Sequence, residues 1–447
     1  MMAEKRSAFL AGIGMLVATV LMTSAGMAVA AQDQGVEAGA ATSKTALEDR
    51  GDGVTRVLEG VPPEGSSSEP IWVPKDTLTE AERAEILAQN ERIIRLLGAR
   101  SMASSGSPQK VTFGWPLRSS GRGTTGGAYS IDTTSQYVDH DPEYPDKLLD
   151  WACGTRTYDS TGGYNHRGSD YSVWPFPWLS MDEGAAQVVA AAPGTIVNKK
   201  DGNFDRHCAM GDAQWNAVYV LHADGSQAWY GHLKENSLTS KGIGDTVAAG
   251  EYLGIVGSSG SSTGPHLHFE VWDEYLKLVD PYHGDCNSAP TWWASQPAYY
   301  DSRVNMVMTG DAVPETPACP NPEVPHIKDS LAPGETIYFT IYYRDFLPSQ
   351  ESRQTVYRPD GTVYSRWTAQ GPDSIWPGFR SSWWLTFNAD LPAGTWRFEV
   401  EFEGQTYRTH FNFRDPTYLN VQDPAGGASW ARGQTHAIRW TDNLGGN

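Results

Sequence analysis

The chain has 447 residues, of which 39% are hydrophobic and 19% charged, and it carries a net charge of −19. That length leaves room for two or three domains. The acidic balance argues against a nucleic-acid partner, because phosphate contacts need a basic patch, and it does not distinguish a peptide substrate from a sugar.

The N-terminus reads as a targeting segment. Lys5 and Arg6 supply a positive n-region, Phe9 to Met22 are almost wholly apolar or small, and Ala28-Val29-Ala30 offers an A-x-A cleavage site. Residues 1–30 are therefore expected to be a signal peptide, and the mature chain is expected to be secreted, extracellular or periplasmic, with no membrane association after cleavage. The apolar stretch is short for a membrane span. Outside the cytoplasm the four cysteines, Cys153, Cys208, Cys286 and Cys319, are free to form disulfides. Four cysteines allow three pairings, between which sequence does not choose; the pairing taken as an expectation is Cys153–Cys208 with Cys286–Cys319.

Residues 31–108 read as a flexible leader with one helix. Ala31 to Pro74 is rich in Gly, Ser, Glu, Ala and Pro, too poor in large apolar groups to order itself. Thr79-x-x-Glu82 is a capping box, Ile86, Leu87, Ile93, Ile94 and Leu97 share a face, and Gly98 ends the helix. The preferred reading packs this helix on the next domain; the competing one makes it a pro-segment covering a cleft. Ser101 to Pro108 is a polar linker.

From 109 to 303 the pattern turns to short β-type runs broken by Gly, Pro and Asp, such as Ala217-Val218-Tyr219-Val220-Leu221 and Tyr252-Leu253-Gly254-Ile255-Val256. The fold class is mainly β, and this part is expected to be an antiparallel β-rich domain. Residues 320–415 carry a second set of strands with turns at Arg358-Pro359-Asp360-Gly361 and Leu391-Pro392-Ala393-Gly394, which predicts a β-sandwich of immunoglobulin type. Residues 416–447 read as the start of a further β unit or a tail. The pairs Trp292-Trp293 and Trp383-Trp384 are expected to give one ring each to a core rather than to stack on sugars.

The chemistry lies in the first β region. His166-x-x-x-Asp170 and, nearly a hundred residues on, His266-Leu267-His268 offer the two imidazoles and one carboxylate that suit Zn²⁺ with a fourth position left for water. On a strand His266, His268 and Glu270 share one face, while Leu267, Phe269 and Val271 face a core. Glu270 is expected to orient His268 or to form a salt bridge rather than to act as a base. His222 is read as structural, and His140, His207, His283, His326, His410 and His436 carry no motif.

These motifs resemble those of the M23 family of zinc metallopeptidases, the lysostaphin/LytM-type cell-wall endopeptidases. The resemblance extends to Ala192-Pro193-Gly194-Thr195-Ile196-Val197, Tyr230-Gly231-His232-Leu233, Gly244-Asp245-Thr246-Val247 and Ser262-Thr263-Gly264-Pro265, and covers roughly residues 160–275. It implies one Zn²⁺ held by His166, Asp170 and His268, with His232 and His266 in the catalytic site but off the metal. It implies hydrolysis of an amide by zinc-activated water without a covalent intermediate, and peptidoglycan peptides as substrate. Two stretches depart from the family pattern: Trp174-Pro175-Phe176-Pro177-Trp178-Leu179 and the insertion Asp201 to Asn216. Both bear on the shape of the cleft and leave the bond cut undetermined, as are the oligomeric state and the role of the C-terminal region. The expected function is a secreted zinc endopeptidase acting on peptidoglycan; the alternatives are a general secreted zinc protease and a non-hydrolytic zinc-containing cell-wall module.

Overall fold

The computed structural model describes residues 55–71, 73–98, 110–414, 419–423 and 439–442. The expected signal peptide, the part of the expected leader before residue 55 and the expected linker Ser101 to Pro108 lie outside them. The described residues are mainly β, as the sequence predicts, and all but one of the paired strands run antiparallel.

The first β region is built on one long sheet. Its strands, in spatial order, are Thr246–Val247, Gly194–Lys200, Ala217–Leu221, Gln227–Gly231, His266–Trp272, Ser169–Val173 and Asp132–Gln136, with Leu278–Val279 added beside the end of His266–Trp272. A three-stranded sheet, Tyr252–Ile255, Ala186–Val189 and Leu117–Ser119, packs below it. The core between them contains Val188, Ile196, Val218, Tyr230, Leu267, Phe269 and Val271. Alternation along His266–Trp272 thus sends the apolar residues down and leaves the histidines on the upper face.

The second region is a two-layer sandwich. One layer is Thr55–Gly60, Val363–Gln370, Glu351–Tyr357, Gly394–Phe402, Gln405–Phe413 and Ser330–Leu331; the other is Arg303–Gly310, Thr336–Arg344, Gly378–Thr386 and Gly65–Pro70. Both layers bury side chains in one core, including Phe339, Trp367, Trp383, Trp396 and Phe398. The sandwich is wider than residues 320–415, because Arg303–Gly310 is one of its strands.

It also takes in part of the stretch read as a flexible leader. Thr55–Gly60 pairs with Val363–Gln370, and Gly65–Pro70 pairs with Gly378–Thr386. Both are edge strands, so backbone hydrogen bonds on one side suffice and no apolar alternation is needed. The polar run Gly65-Ser66-Ser67-Ser68-Glu69-Pro70 therefore forms a strand that composition does not suggest. Further along the chain, Leu419–Asp423 and Arg439–Asp442 form an antiparallel pair.

Two disulfides are present, and the pairing differs from the expectation: Cys153 joins Cys286 and Cys208 joins Cys319. The insertion Asp201 to Asn216 is thereby tied to the loop that follows Arg303–Gly310 rather than to the start of its own region. The aromatic run after Asp170 also has a different role from shaping the cleft. Trp174 and Phe176 pack with Met306, Met308 and Tyr342 of the sandwich, and Trp174 Nε1 donates to Tyr343 O at 2.9 Å.

The helix Glu80–Leu97 forms as the capping box predicts: Glu82 N donates to Thr79 Oγ1, Thr79 N donates back to Glu82 Oε2, and Gly98 closes the end at φ +65°. It lies on the upper face of the long sheet. Ile86 and Ile94 are buried with Val197, Trp215, Tyr219, Trp229 and Trp272.

Candidate active site

The central strand His266–Trp272 sets the geometry. In its register His268 stands opposite Asp170 on one side and opposite Gly231 on the other. His166 precedes the strand Ser169–Val173, and His232 follows Gln227–Gly231. Two hydrogen-bond ladders therefore bring four histidines and a carboxylate to one patch. All five are at most 2% exposed.

Close approach requires glycine at two points. A Cβ on Gly168 would lie 2.5 Å from Cε1 and Nε2 of His268, and one on Gly231 would lie 2.1 Å from the Trp215 ring. His232 itself adopts φ +60°, a left-handed conformation that non-glycine residues pay for in strain and that recurs at functional sites.

Each ring is held from behind by one nitrogen. His166 Nδ1 donates to Tyr137 O at 2.7 Å, leaving Nε2 facing the patch. His268 Nε2 donates to Glu270 Oε1 at 3.0 Å, leaving Nδ1 facing it. These two free nitrogens are 3.4 Å apart, and Asp170 lies beside both, with Oδ1 3.0 Å from His268 Nδ1 and Oδ2 3.2 Å from His166 Nε2. Asp170 Oδ2 is buried and accepts no hydrogen bond. Lone pairs gathered this closely, with one carboxylate oxygen orphaned, form a donor set that fits a divalent cation. Burial alone would push the Asp170 carboxyl up, but His166 and His266 facing it hold it down, to about 2.

His232 and His266 sit beside this set. His232 Nδ1 donates to Ser259 O at 2.6 Å and His266 Nδ1 to Gly264 O at 2.8 Å, so both present Nε2 to the same point. Burial, and then the neighbouring His266, press the His232 pKa below its ordinary value. Burial presses His266 down too, but Asp170 and Asp76 outweigh it and raise it.

Glu270 takes the orienting place expected of it. Besides His268 it accepts Trp272 Nε1 at 3.1 Å and pairs with Arg83 Nη2 at 2.7 Å. Burial favours its neutral form, but Arg83 overrides this and holds the carboxyl at about 2. His222 is buried away from the patch and donates Nδ1–H to Pro193 O at 2.8 Å, a structural role.

Sequence reasoning missed two residues here. Arg83, 1% exposed, reaches the site from the helix. Asp76, just ahead of the helix, places Oδ2 2.7 Å from His268 Nδ1, 3.0 Å from His232 Nε2 and 3.2 Å from His266 Nε2. Asp76, His166, Asp170 and His268 offer ligand atoms all within 4.8 Å of one another. Pro74-Lys75-Asp76-Thr77 carries no motif that would flag it.

Residues 178–281 match the profile of Peptidase family M23. The first β region carries a peptidase M23 domain. The matched stretch holds His232, His266 and His268; His166 and Asp170 lie just before it and are brought in by the fold. Among curated relatives, the M23 domain is similar to the DD-carboxypeptidase/endopeptidase Mpg of Neisseria meningitidis, 51% identical over 107 residues, 24% of this chain and 20% of that protein. It is also similar to the glycyl-glycine endopeptidase ALE-1 of Staphylococcus capitis, 41% identical over 109 residues, 24% of this chain and 25% of that protein. Lysostaphin of Staphylococcus simulans is 41% identical over 56 residues, 12% of this chain and 11% of that protein. The chain thus spans about a fifth of the length of the Neisseria relative.

Proposed function

We propose that this M23 chain is a secreted, zinc-dependent endopeptidase that cuts peptide bonds in bacterial peptidoglycan. The observation that carries the reading is the convergence of His166 Nε2, Asp170 and His268 Nδ1, with both rings fixed from behind and the Nε2 atoms of His232 and His266 aimed at the same place. The donor set of two imidazoles and one carboxylate suits Zn²⁺, which when bound would polarise an amide carbonyl and lower the pKa of water.

The chain's own residues supply the rest. His166, Asp170 and His268 hold the ion, and Glu270 fixes the His268 tautomer so that Nδ1 keeps its lone pair. His232 or His266 accepts the proton of the attacking water at Nε2, and the other donates a hydrogen bond to the oxyanion that forms on the amide carbon. The names of the endopeptidase relatives support an amide substrate, and two disulfides support an oxidising compartment outside the cytoplasm.

The test is mass spectrometry of peptidoglycan fragments after digestion, with and without a chelator. New amine ends that vanish with chelator are expected. Cleavage of a soluble protein but not of peptidoglycan would favour a general protease, and zinc retention with no new amine from either would favour a non-hydrolytic module.

A further inference from the structure

Away from the histidines a second recess opens between the first β region and the sandwich, with a volume of about 470 Å³. That lies within the ~300–1,000 Å³ that small-ligand sites occupy. Nothing in the proposed hydrolysis uses it. Charged side chains from both regions are buried in its wall: Asp132, on the strand Asp132–Gln136, is 6% exposed, and Arg344 and Asp345 of the sandwich are 8% and 2% exposed. Trp115, Tyr137 and Tyr299 supply the apolar part.

The chemistry of the wall selects the ligand. The arginines are already paired. Arg344 Nη2 lies 2.5 Å from Asp301 Oδ2, Arg303 Nη2 lies 2.6 Å from Asp301 Oδ1, and Arg156, behind Asp345, lies 2.8 Å from its Oδ1. An anion would therefore have to displace a carboxylate. A cation fares no better. Asp132 is the wall carboxylate without an ion pair among the described residues, and burial, only partly offset by Arg344, pushes its pKa up. A peptide added along the sheet edge is blocked as well: Arg344 Nη1 and Asn305 Nδ2 already donate to Asp132 O at 3.1 and 2.9 Å, and Arg156 Nη2 donates to Thr134 O. What remains is a neutral ligand rich in hydroxyl groups. The Asp132 side chain accepts Trp115 Nε1 at 3.0 Å and Ser130 Oγ at 3.2 Å, which leaves lone pairs for such donors. Rings fixed at their polar ends, Trp115 on Asp132 and Tyr299 Oη on Asp150 Oδ2 at 2.5 Å, offer flat faces that the C–H side of a sugar ring can cover.

The recess backs onto the cation ligands. Tyr137, in its wall, accepts His166 Nδ1 at its carbonyl, and the neighbouring Ser135 Oγ donates to Asp170 O at 3.1 Å. Gln136 stands opposite Asp170 in register, so Asp132 lies four residues, roughly 13 Å, further along the strand. A peptide of about four extended residues covers that reach. We propose that this recess is a second binding site that holds a neutral oligosaccharide, the glycan strand of the substrate whose peptide is cut at the histidines. The identity of that strand rests on the endopeptidase reading; the binding of sugar does not.

The test is isothermal titration calorimetry of the full chain with the tetramer of N-acetylglucosamine, with inorganic phosphate as an anionic probe. The sugar is expected to bind and phosphate to give no heat. Asp132→Asn removes the acceptor's charge, and Ala298→Trp fills the recess from an exposed position. Each should weaken sugar binding by about tenfold or more, the size of one hydrogen bond to a charged group. Neither residue touches the cation ligands, so both variants should keep the wild-type kcat on peptidoglycan while KM rises. No heat with the sugar, heat with phosphate alone, or variants that bind the sugar as the wild type does would each overturn the site. Sugar binding that the variants lose, in a chain that cleaves no peptidoglycan, would uphold the site and sink the endopeptidase reading; cleavage by a chain that binds no sugar would do the reverse. If Asp132→Asn does not fold, Ala298→Trp decides alone.

Discussion

Gly168 shows how little slack the site has. A methyl there would meet the His268 ring at 2.5 Å, on the edge that donates to Glu270. Gly168→Ala should turn that ring and weaken metal binding by about tenfold or more, the range seen when ligand-orienting contacts are lost; competition with a chromogenic chelator measures it. His268→Ala and Asp170→Ala are expected to lose zinc by elemental analysis, whereas His232→Ala should retain it and lose roughly 10²-fold or more in turnover. A His232→Ala protein of near-normal rate would remove that residue from proton transfer. His222 has a pH signature of its own. Burial, only partly offset by its bond to Pro193 O, holds its pKa below the ordinary value. The unfolded chain therefore binds this proton first as pH falls, so the stability tied to the neutral ring is present above the ordinary histidine pKa and is lost as acid carries the pH down toward the folded pKa. Melting temperatures from pH 7.5 downward should fall more for the wild type than for His222→Leu.

At the scale of elements, the helix Glu80–Leu97 reaches Glu270 through Arg83. Arg83 and Glu270 are 1% and 0% exposed, so Arg83→Met would strand a buried carboxylate. Removing one partner of such a pair costs about 3–5 kcal/mol, and the urea midpoint should report it, with the m-value unchanged if the denatured state is the same. The helix itself was legible in Thr79, Glu82, Ile86, Ile94 and Gly98, because a capping box and a 3.6-residue period are local signals. The face of His266–Trp272 was legible for the same reason, since alternation fixes which side each residue takes. What Arg83 and Asp76 touch was not, because their partners lie up to 190 residues away and a lone polar residue carries no period. The strands Thr55–Gly60 and Gly65–Pro70 were hidden too: an edge strand is recruited by its neighbour's unpaired backbone rather than by its own composition.

At the scale of the whole molecule, the two β regions are joined by more than the chain that runs between them. Cys208–Cys319 closes a loop with a sequence separation of 111 between the cleft insertion and the sandwich side. Replacing both cysteines by serine should lower stability by roughly 2–5 kcal/mol, read from denaturant unfolding without reductant. The disulfide pairing was not legible, since spacing along the chain does not reveal which sulfurs the fold brings together. The N-terminal strands have a further consequence. The residues that reach the histidines leave from a sandwich strand, Gly65–Pro70, and continue through the helix into the catalytic sheet region, so they are moored at both ends. A single backbone cut on either side would leave Asp76 on a tether, and its return to the histidines would be a first-order event. Dilution would not drive it off, and a free peptide of the same sequence would need roughly millimolar concentration to compete with the attached copy.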